Sequence, residues 1–346
     1  MISQETYSLE YVNDLHDRYN RDSALLERVL FAFGLLEAIA RVGMPFIFKG
    51  GTSLMLLLDH PLRLSTDIDI LVPPGTDVDR FISEASEIFP FKSYKEDRRV
   101  GHNKIEKRHF KFIYNSPLRD EEFYILLDVV FAESPYQTII SREVKNDLLL
   151  TEGNPIMISI PSPDCILGDK LTAFAPHTTG IPFGVNKELE IVKQLFDVAT
   201  LSEKIQNNDD LASTYAHSVE AEIGYRNITV TREDVLYDTI QSCACIIGKG
   251  NYSPDEYPLF IRGVHAVGGH VLSMRYTGHV AAWQASCVMH LASCLLTGTD
   301  YVPIKEVDSY SQEKIGTSKY KKLSYMRGEN IEAFAHIVEA IRLLKE

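Results

Sequence analysis

Hydrophobic residues recur at helical spacing in the first part of the chain and at strand spacing further on. Between residues 6 and 42 they return every three or four positions, which predicts a helical region with one core-facing side. Residues 68 to 72 alternate with period two, which predicts a short strand. A second strand is predicted over 123–131, where an apolar run contains one acid, Asp128. Strands interleaved with helices predict an α/β fold.

The second part of the chain shows mainly helical patterns. Residues 233–248 and 281–296 are both predicted to be helices, and the second of them is strongly apolar. The polar run over 207–210 is predicted to be a linker. We therefore predict two domains, an α/β domain over 1–202 and a helical domain over 203–346.

A glycine turn and a pair of acids lie close together in the stretch from 46 to 72. Gly50 and Gly51 suit a tight turn in which the backbone approaches a ligand. Thr52 and Ser53 are predicted to cap a helix that begins just after them. Such a helix directs free N–H groups and a positive dipole end towards an anion, typically a phosphate. The turn is not a Walker loop, because no Gly-Lys-Ser/Thr follows the glycines.

Asp67 and Asp69 are predicted to share one face of the strand, because side chains alternate along a strand with period two. Two neighbouring carboxylates repel each other unless a cation lies between them. A solvated strand face is the alternative for an isolated Asp-x-Asp. The glycine turn one helix earlier favours a phosphate-binding and divalent-metal site instead.

These residues carry a resemblance to a known family. The segments Gly50-Gly51-Thr52-Ser53-Leu54, Arg63-Leu64-Ser65 and Asp67-Ile68-Asp69 resemble the AbiEii nucleotidyltransferase toxins of the DNA polymerase beta-like superfamily. The resemblance covers roughly residues 30 to 201 and implies a polymerase-beta-like nucleotidyltransferase lobe with a mixed sheet. It implies that the glycine turn holds a triphosphate and that the Asp-x-Asp strand holds magnesium. The residues it implies for nucleotide binding are Lys49, Gly50, Gly51, Thr52, Ser53, Ser65, Lys170 and Lys193.

Asp128 is predicted to be a third metal ligand. A buried acid is costly unless it is paired or bound to a metal, and a hydrogen-bonded core acid is the alternative. In the superfamily a later strand commonly supplies a third carboxylate, so the resemblance implies that Asp128 joins Asp67 and Asp69.

Two later motifs extend the resemblance. Asp169-Lys170-Leu171 and the pair Lys193 and Asp197 match them, which implies that Lys170 contacts the triphosphate and that Asp197 belongs to the active site. The implied catalytic residues are Asp67, Asp69, Lys170 and Asp197. Taken without the family, Lys170 is typical of a solvated helix lysine, and Lys193 with Asp197 of a surface pair. The interval of 27 positions between Lys170 and Asp197 is long and contains the Gly- and Thr-rich loop 177–184, predicted to be mobile enough to close over a ligand.

The net charge of −13 argues against a general nucleic-acid coat protein, which would be basic. The charge is uneven, since residues 92 to 111 contain eight Lys or Arg against three Asp or Glu, a local charge of +5. We predict that the basic part of this segment, 98–111, contacts RNA or triphosphate. A solvated hairpin is the alternative.

The remaining composition indicates a cytoplasmic protein. The five cysteines are odd in number and show no Cys-x-x-Cys spacing, so we expect reduced, mostly buried thiols and no zinc site. We expect no membrane partner, because no apolar run approaches the ~18 residues needed to span a bilayer. The N-terminus also lacks the basic start and apolar core of a secretory signal.

The resemblance implies a nucleotidyltransferase with two Mg²⁺ ions that uses a nucleoside triphosphate (NTP) and acts on an RNA 3′ end, such as that of tRNA. It also implies a toxin with a cognate antitoxin, or a phage-defence pair. Transfer to a protein or to a small molecule such as an antibiotic is the first alternative, which the acidic charge favours. A catalytically inactive binding protein is the second. We also hypothesise that phosphorylation of Ser65 silences the site. The alternative is that Ser65 caps the turn between Arg63 and the strand.

Overall fold

The computed structural model describes residues 1–58, 60–97, 106–316 and 318–345. The chain divides into two compact units. Unit 1 comprises Met1–Ser162 and Gly269–Met274, and unit 2 comprises Pro163–Gly268 and Arg275–Glu346. Residues 163–202 thus belong to unit 2, whereas the boundary drawn from the sequence falls after residue 202. The division into separately folding domains at that point stays a prediction.

The described residues of unit 1 contain four α-helices, one short 3-10 helix (Gln4–Tyr7) and seven strands. The helices are α1 (Leu9–Tyr19), α2 (Ser23–Arg41), α3 (Gly50–Leu57) and α4 (Val78–Ser86). The strands are β1 (Ile47–Lys49), β2 (Ile68–Val72), β3 (Phe91–Glu96), β4 (Glu106–Asn115), β5 (Glu122–Phe131), β6 (Ile139–Glu143) and β7 (Met157–Pro161). The first five strands form a mixed sheet in the order β1-β2-β5-β4-β3. β2 and β5 are parallel, the other neighbours in this sheet are antiparallel, and β6 pairs separately with β7.

One face of the sheet is packed into the core of unit 1. Phe110, Phe112, Leu127 and Val129 have no exposed surface, as expected for alternate positions on β4 and β5. α2 contacts both β2 and β5, and it begins where the Asp22 carboxylate accepts a hydrogen bond from the backbone N–H three residues on. The predicted helical region over 6–42 and the strands over 68–72 and 123–131 are confirmed.

The start of α3 differs from the prediction. The helix begins at Gly50 rather than after Thr52 and Ser53, and Lys49 in the N-cap position makes no side-chain capping bond. Gly50 has φ +81°, a left-handed conformation that glycine adopts without a steric penalty. The turn therefore directs the chain into the helix at once, and the predicted hydroxyl cap is wrong.

Unit 2 is helical in its described residues. Its helices are α5 (Pro163–Ala173), α6 (Glu188–Ser202), α7 (Asn208–Arg226), α8 (Arg232–Ile247), α9 (Tyr257–Val267), α10 (Gly278–Thr297), α11 (Met326–Glu329) and α12 (Ile331–Leu344). α8 begins with the capping box in which Thr231 and Asp234 exchange hydrogen bonds. The helices predicted over 233–248 and 281–296 are confirmed. The predicted linker over 207–210 is wrong, because the Asn207 side chain caps α7.

α10 lies in the core of unit 2. It is long and apolar enough, by length and composition alone, to cross a membrane, but 72% of its apolar window is buried inside the protein. Core helices of globular proteins commonly show this combination. All five cysteines are buried and free, as expected, and two of them, Cys287 and Cys294, lie on this helix.

Candidate active site

Four polar residues form a row across one face of the sheet in unit 1. Lys49 on β1 is the register partner of Asp69 on β2, which is the partner of Asp128 on β5, which is the partner of His109 on β4. Register partners on neighbouring strands project from the same face. All four are partly exposed, while most of their strand neighbours are buried. The fold thus brings two carboxylates together between two basic side chains.

His109 holds the outer side of this row. Its Nδ1 lies 2.6 Å from Asp128 Oδ1, and its side chain is 15% exposed. A ring nitrogen at this distance fixes the orientation of the carboxylate, as do side chains that hydrogen-bond to the ligands of a metal ion.

Gly50 packs directly against Asp69. A methyl group built on Gly50 would overlap the Asp69 carboxylate. Any residue other than glycine at this position would therefore force the acid to move. The glycine turn and the Asp-x-Asp strand, which the sequence separates by one helix, therefore meet at a single point. The space for the carboxylate exists because the side chain at residue 50 is absent.

Gly51 packs against two polar side chains. A methyl group there would lie 2.7 Å from Arg63 Nη2 and 2.9 Å from Ser65 Oγ. Arg63 is buried, and its Nη1 donates to the carbonyl of Leu64. Ser65 therefore lies beside the glycine turn. Its roles in nucleotide binding and as a phosphorylation site stay predictions.

The hydroxyl groups of Thr52 and Ser53 point inwards. Thr52 Oγ1 donates to the carbonyl of Asp67 at 2.6 Å, and Ser53 Oγ donates to the carbonyl of Gly50 at 2.9 Å. Both side chains are fully buried. The Thr52 bond ties the first turn of α3 to the residue just before β2, so these hydroxyls hold the turn in place, and the groups that the turn offers an anion are backbone N–H groups.

Asp67 precedes β2 and is the most exposed of the three predicted metal ligands. Its side chain is 52% exposed, and its Oδ1 lies 3.9 Å from Arg28 Nη2. Arg28 also donates to Thr66 Oγ1 at 3.1 Å, while its buried Nε has no hydrogen-bond partner. A cation from α2 therefore stands beside the first acid of the motif.

The three carboxylates suit magnesium in their chemistry. In the described part of the chain, no three His, Cys, Asp or Glu side chains meet closely enough to form a metal centre by themselves. Magnesium is usually held by one or two carboxylates together with substrate phosphates and water, so a complete protein cage is not needed. The adjacent Asp69 and Asp128, with the glycine that leaves room for Asp69, match such a partial site.

Lys170 and Asp197 form an ion pair inside unit 2. Lys170 Nζ lies 2.6 Å from Asp197 Oδ2 and also donates to Gln194 Oε1 at 3.3 Å. The two side chains are 7% and 1% exposed. The interpretation of Lys170 as a solvated helix lysine is therefore wrong, and the family's two later motifs meet each other across α5 and α6.

Lys193 has a different partner from the one suggested by its spacing. Its Nζ pairs with Glu190 Oε1 at 3.0 Å, one turn earlier on α6. Because Asp197 is buried, the interpretation of Lys193 and Asp197 as a surface pair is also wrong. The nucleotide-binding role of Lys193 stays a prediction.

The loop predicted to be mobile is anchored at its start. His177 Nδ1 lies 2.6 Å from Asp238 Oδ1, and its Nε2 lies 2.7 Å from Glu256 Oε1. Its hydrogen bond to Asp238, followed by that to Glu256, raises the pKa of His177 to about 9, so the imidazole is a cation at neutral pH. Thr179 Oγ1 donates to the carbonyl of Thr172 at 2.7 Å. These contacts hold the segment against α5, α8 and the start of α9.

The structure describes only part of the predicted basic segment 98–111. Residues 98–105 lie outside the described residues. Within β4, Arg108 forms ion pairs with Asp79 at 2.7 Å and with Glu96 at 2.8 Å, and its hydrogen bond lowers the pKa of Asp79. This arginine therefore links α4 and β3 to β4. The contact of segment 98–111 with RNA or triphosphate stays a prediction.

Sequence reasoning missed three residues beside the glycine turn and the acids. Arg28 and His109 reach the acids from an N-terminal helix and a distant strand, and no motif includes them. Arg63 falls inside the motif, but its contact with Gly51 follows from the fold. His109 could have been identified only from the pairing of β4 with β5, because that pairing places it opposite Asp128.

Comparison with curated proteins and solved structures gives at most weak matches. No curated protein matches the chain. Two solved structures from Helicobacter pylori are similar to this chain. One, of a protein proposed to be a nucleotidyltransferase, is 16% identical, and the match covers 62% of this chain and 93% of the H. pylori chain with a TM-score of 0.31. The other, of the protein JHP933, is 15% identical, and the match covers 69% of this chain and 96% of JHP933 with a TM-score of 0.32. These similarities are too low to define fold or function.

The family match is broader. The sequence model described as "Nucleotidyl transferase AbiEii toxin, Type IV TA system" matches residues 35–242, which is more than half of the chain. The matched range contains the glycine turn, the Asp-x-Asp strand, Asp128 and the Lys170–Asp197 pair. The chain therefore belongs to the AbiEii family of nucleotidyl transferase toxins.

Proposed function

We propose that this nucleotidyltransferase depends on magnesium and moves a nucleoside monophosphate from an NTP to the 3′ end of an RNA such as tRNA. The supporting observation is the register of Asp69 with Asp128 on adjacent parallel strands. Like charges directly opposite each other in a sheet destabilise it. A hard divalent cation with oxygen ligands relieves this repulsion, so the pair favours a magnesium–triphosphate complex.

Each part of the site has a proposed task. Asp69 and Asp128, with Asp67 at the edge, would hold up to two magnesium ions. Bound magnesium would supply charge neutralisation at the α-phosphate during an in-line displacement. The backbone N–H groups at Gly50 and Gly51 would face the outer phosphates at the start of α3.

The supporting residues orient these groups. His109 fixes the Asp128 carboxylate, and Thr52 fixes the backbone at Asp67. From the family motif, Lys170 is proposed to stabilise the charge on the leaving pyrophosphate.

The proposed function and its alternative differ in the molecule that accepts the nucleotide, which is either RNA or a protein or small molecule. The family name supports nucleotidyl transfer by a toxin, and a cognate antitoxin follows from that family. RNA is the proposed acceptor, and phage defence is the proposed setting. The net charge of −13 favours a protein or small-molecule acceptor instead, so the acceptor must be measured directly.

Label transfer from α-³²P-labelled NTPs tests the proposal. The full chain is incubated with total RNA or total protein from a suitable cell extract, with and without magnesium, and the labelled fraction is measured. We expect magnesium-dependent label in RNA that is lost in Asp69→Asn. Asp14→Asn is the control for loss of an aspartate elsewhere in the chain, because Asp14 lies on α1 beside Arg18 and is 50% exposed. Label found only in protein would overturn the acceptor, and transfer retained by Asp69→Asn would overturn the site.

A further inference from the structure

Two aromatic rings and three cations stack together at the beginning of β5. The rings of Phe123 and Tyr124 lie 5.5 Å apart with their planes inclined by 19°. Arg119 Cζ lies 5.4 Å and Arg28 Cζ 6.0 Å from the centre of the Phe123 ring, and Lys111 Nζ lies 5.1 Å from that of Tyr124. We call these five residues the aromatic–cation stack. Arg28 also lies beside Asp67 at the candidate active site, and Lys111 belongs to the basic segment 98–111. The other three residues have no role described above.

The stack is open to solvent. Tyr124 is 39% exposed, which is unusual for a large aromatic residue on a central strand. The side chains of Arg119, Arg28 and Lys111 are 49%, 35% and 34% exposed. A ligand can therefore reach both the ring edges and the charged ends.

Two of the cations in the stack form weak ion pairs with acids, which a bound phosphate can displace. Glu121 lies 3.8 Å from Arg119, and Asp97 lies 3.4 Å from Lys111. Exposed ion pairs of this kind contribute little stability, so a phosphate group can replace them. The three cations would then interact with an anionic backbone, and the rings with flat, apolar groups.

The stack is connected to the candidate active site in two ways. Arg28 contributes to the stack and also lies 3.9 Å from Asp67 Oδ1. Tyr124 precedes Asp128 by four residues on β5, so both project from the same face, ~13 Å apart along the strand. A chain that stacks on Tyr124 can thus continue along the sheet face towards the carboxylates.

We propose that the aromatic–cation stack binds the unpaired 3′-terminal nucleotides of the acceptor RNA. Bases of single strands stack on aromatic rings and on arginine planes, and a positive groove follows their backbone. This inference rests on the proposed RNA acceptor and assigns residues to its recognition. A duplex presents no free base faces, so the stack selects single-stranded ends.

Equilibrium binding of RNA to the full chain tests the stack without any transfer chemistry. The probe is a fluorescein-labelled single-stranded RNA of about 12 nucleotides, within the usual site size of single-strand binders, and no NTP is present. Tyr124→Ala should raise Kd by ~5- to 100-fold, the usual effect of removing one stacking aromatic, and Tyr124→Phe should retain binding. Arg119→Ala should reduce the slope of log K against log salt concentration by about 0.7, as for one lost phosphate contact.

Two control variants match these positions. Arg232 is 49% exposed beside a glutamate that is 60% exposed, the same values as Arg119 and its neighbour. Tyr237 is 46% exposed and lies on a helix of unit 2. Arg232→Ala and Tyr237→Ala should bind the probe like the wild type.

The outcomes separate this inference from the proposed function. Equal Kd values for Tyr124→Ala and Tyr237→Ala, with label transfer to RNA intact, would overturn the stack alone. Equal affinity for a blunt duplex of the same sequence would also overturn it. Normal stack-dependent binding of RNA, combined with label transfer only to protein, would overturn the proposed function and leave the stack as an RNA-binding site.

Discussion

Charged side chains are arranged in opposite ways in the two units. In unit 1 the like-charged Asp69 and Asp128 are register partners on a partly exposed sheet face, and Asp128 is 29% exposed. In unit 2 the opposite charges of Lys170 and Asp197 are 2.6 Å apart and almost fully buried. The first arrangement costs free energy in the protein alone, and the second depends on both partners being present.

This difference predicts different consequences for mutation. Removing one acid from the row of unit 1 relieves repulsion, so it should affect ligand binding and catalysis more than folding. Removing one partner of the buried pair in unit 2 leaves an uncompensated charge in the core, so it should affect folding first. A stability measurement beside each activity measurement therefore separates the two kinds of site.

The largest expected effect is on transfer by the acidic row. Asp69→Asn and Asp128→Asn should each lower kcat by at least ~100-fold, as for lost electrostatic stabilisation of a transition state. The free energy of unfolding should change by less than ~1 kcal/mol, because the repulsion that is removed offsets the contact that is lost with a basic neighbour such as His109. Steady-state kinetics and urea unfolding measure both quantities. A fully active variant would contradict the assignment.

The buried pair should show the largest effect on stability. Lys170→Ala or Asp197→Asn should reduce the free energy of unfolding by ~3–5 kcal/mol, measured by urea unfolding. The double change Lys170→Met with Asp197→Leu should recover most of this loss, because no charge is left unpaired. If the double variant is folded and also active, Lys170 has no catalytic role.

The glycine turn should give an intermediate effect. Gly50→Ala introduces a side chain at φ +81° and displaces the Asp69 carboxylate, at a cost of ~1–2 kcal/mol for the left-handed conformation. We expect KM for the NTP to rise as well. Gly75→Ala is the matched control, since Gly75 has φ +80° with no atom near its missing Cβ. Equal KM values in the two variants would contradict the close contact with Asp69.

The smallest effect should be at His177 and should depend on pH. Its pKa is raised to about 9, so its contribution is complete below the unfolded value of about 6.5 and is lost as the pH rises through about 9. His177→Gln should therefore cost ~1 kcal/mol at about pH 6, a value reduced for solvent screening, and nothing at about pH 10. Thermal unfolding at both pH values tests this. A constant difference would mean that the charge of His177 is not involved.

A second histidine site should respond to pH in the opposite direction. Burial lowers the pKa of His290 to about 4 and that of His336 to about 3, and their Nδ1 atoms lie 3.1 Å apart. A lowered pKa in a base means that the unfolded chain binds protons first, so stability is lost as the pH falls below about 6.5. Replacing His336 with Phe should reduce this loss of stability at low pH. Thermal unfolding at several pH values between about 4 and 7 measures it as a smaller fall in melting temperature.

The sequence was informative where a residue's role follows from local pattern. Alternation predicted β2, and an apolar run predicted β5. The strand order, which the sequence did not show, places Asp69 next to Asp128 although they are 59 positions apart. Sequence reasoning failed at α3, where the positive φ of Gly50 decides the helix start, and at residues 207–210, where Asn207 caps a helix instead of opening a linker. Spacing also gave Lys193 the wrong partner, because burial of Asp197 depends on how α5 and α6 pack.

The central claim is that Asp69 and Asp128 together bind a magnesium–triphosphate complex. Isothermal titration of a non-hydrolysable NTP analogue into the full chain, with and without magnesium, measures this binding directly. We predict tight binding that requires magnesium in the wild type, and loss of the magnesium-dependent part in a folded Asp69→Asn/Asp128→Asn double variant. Unchanged magnesium-dependent affinity in that variant would contradict the claim.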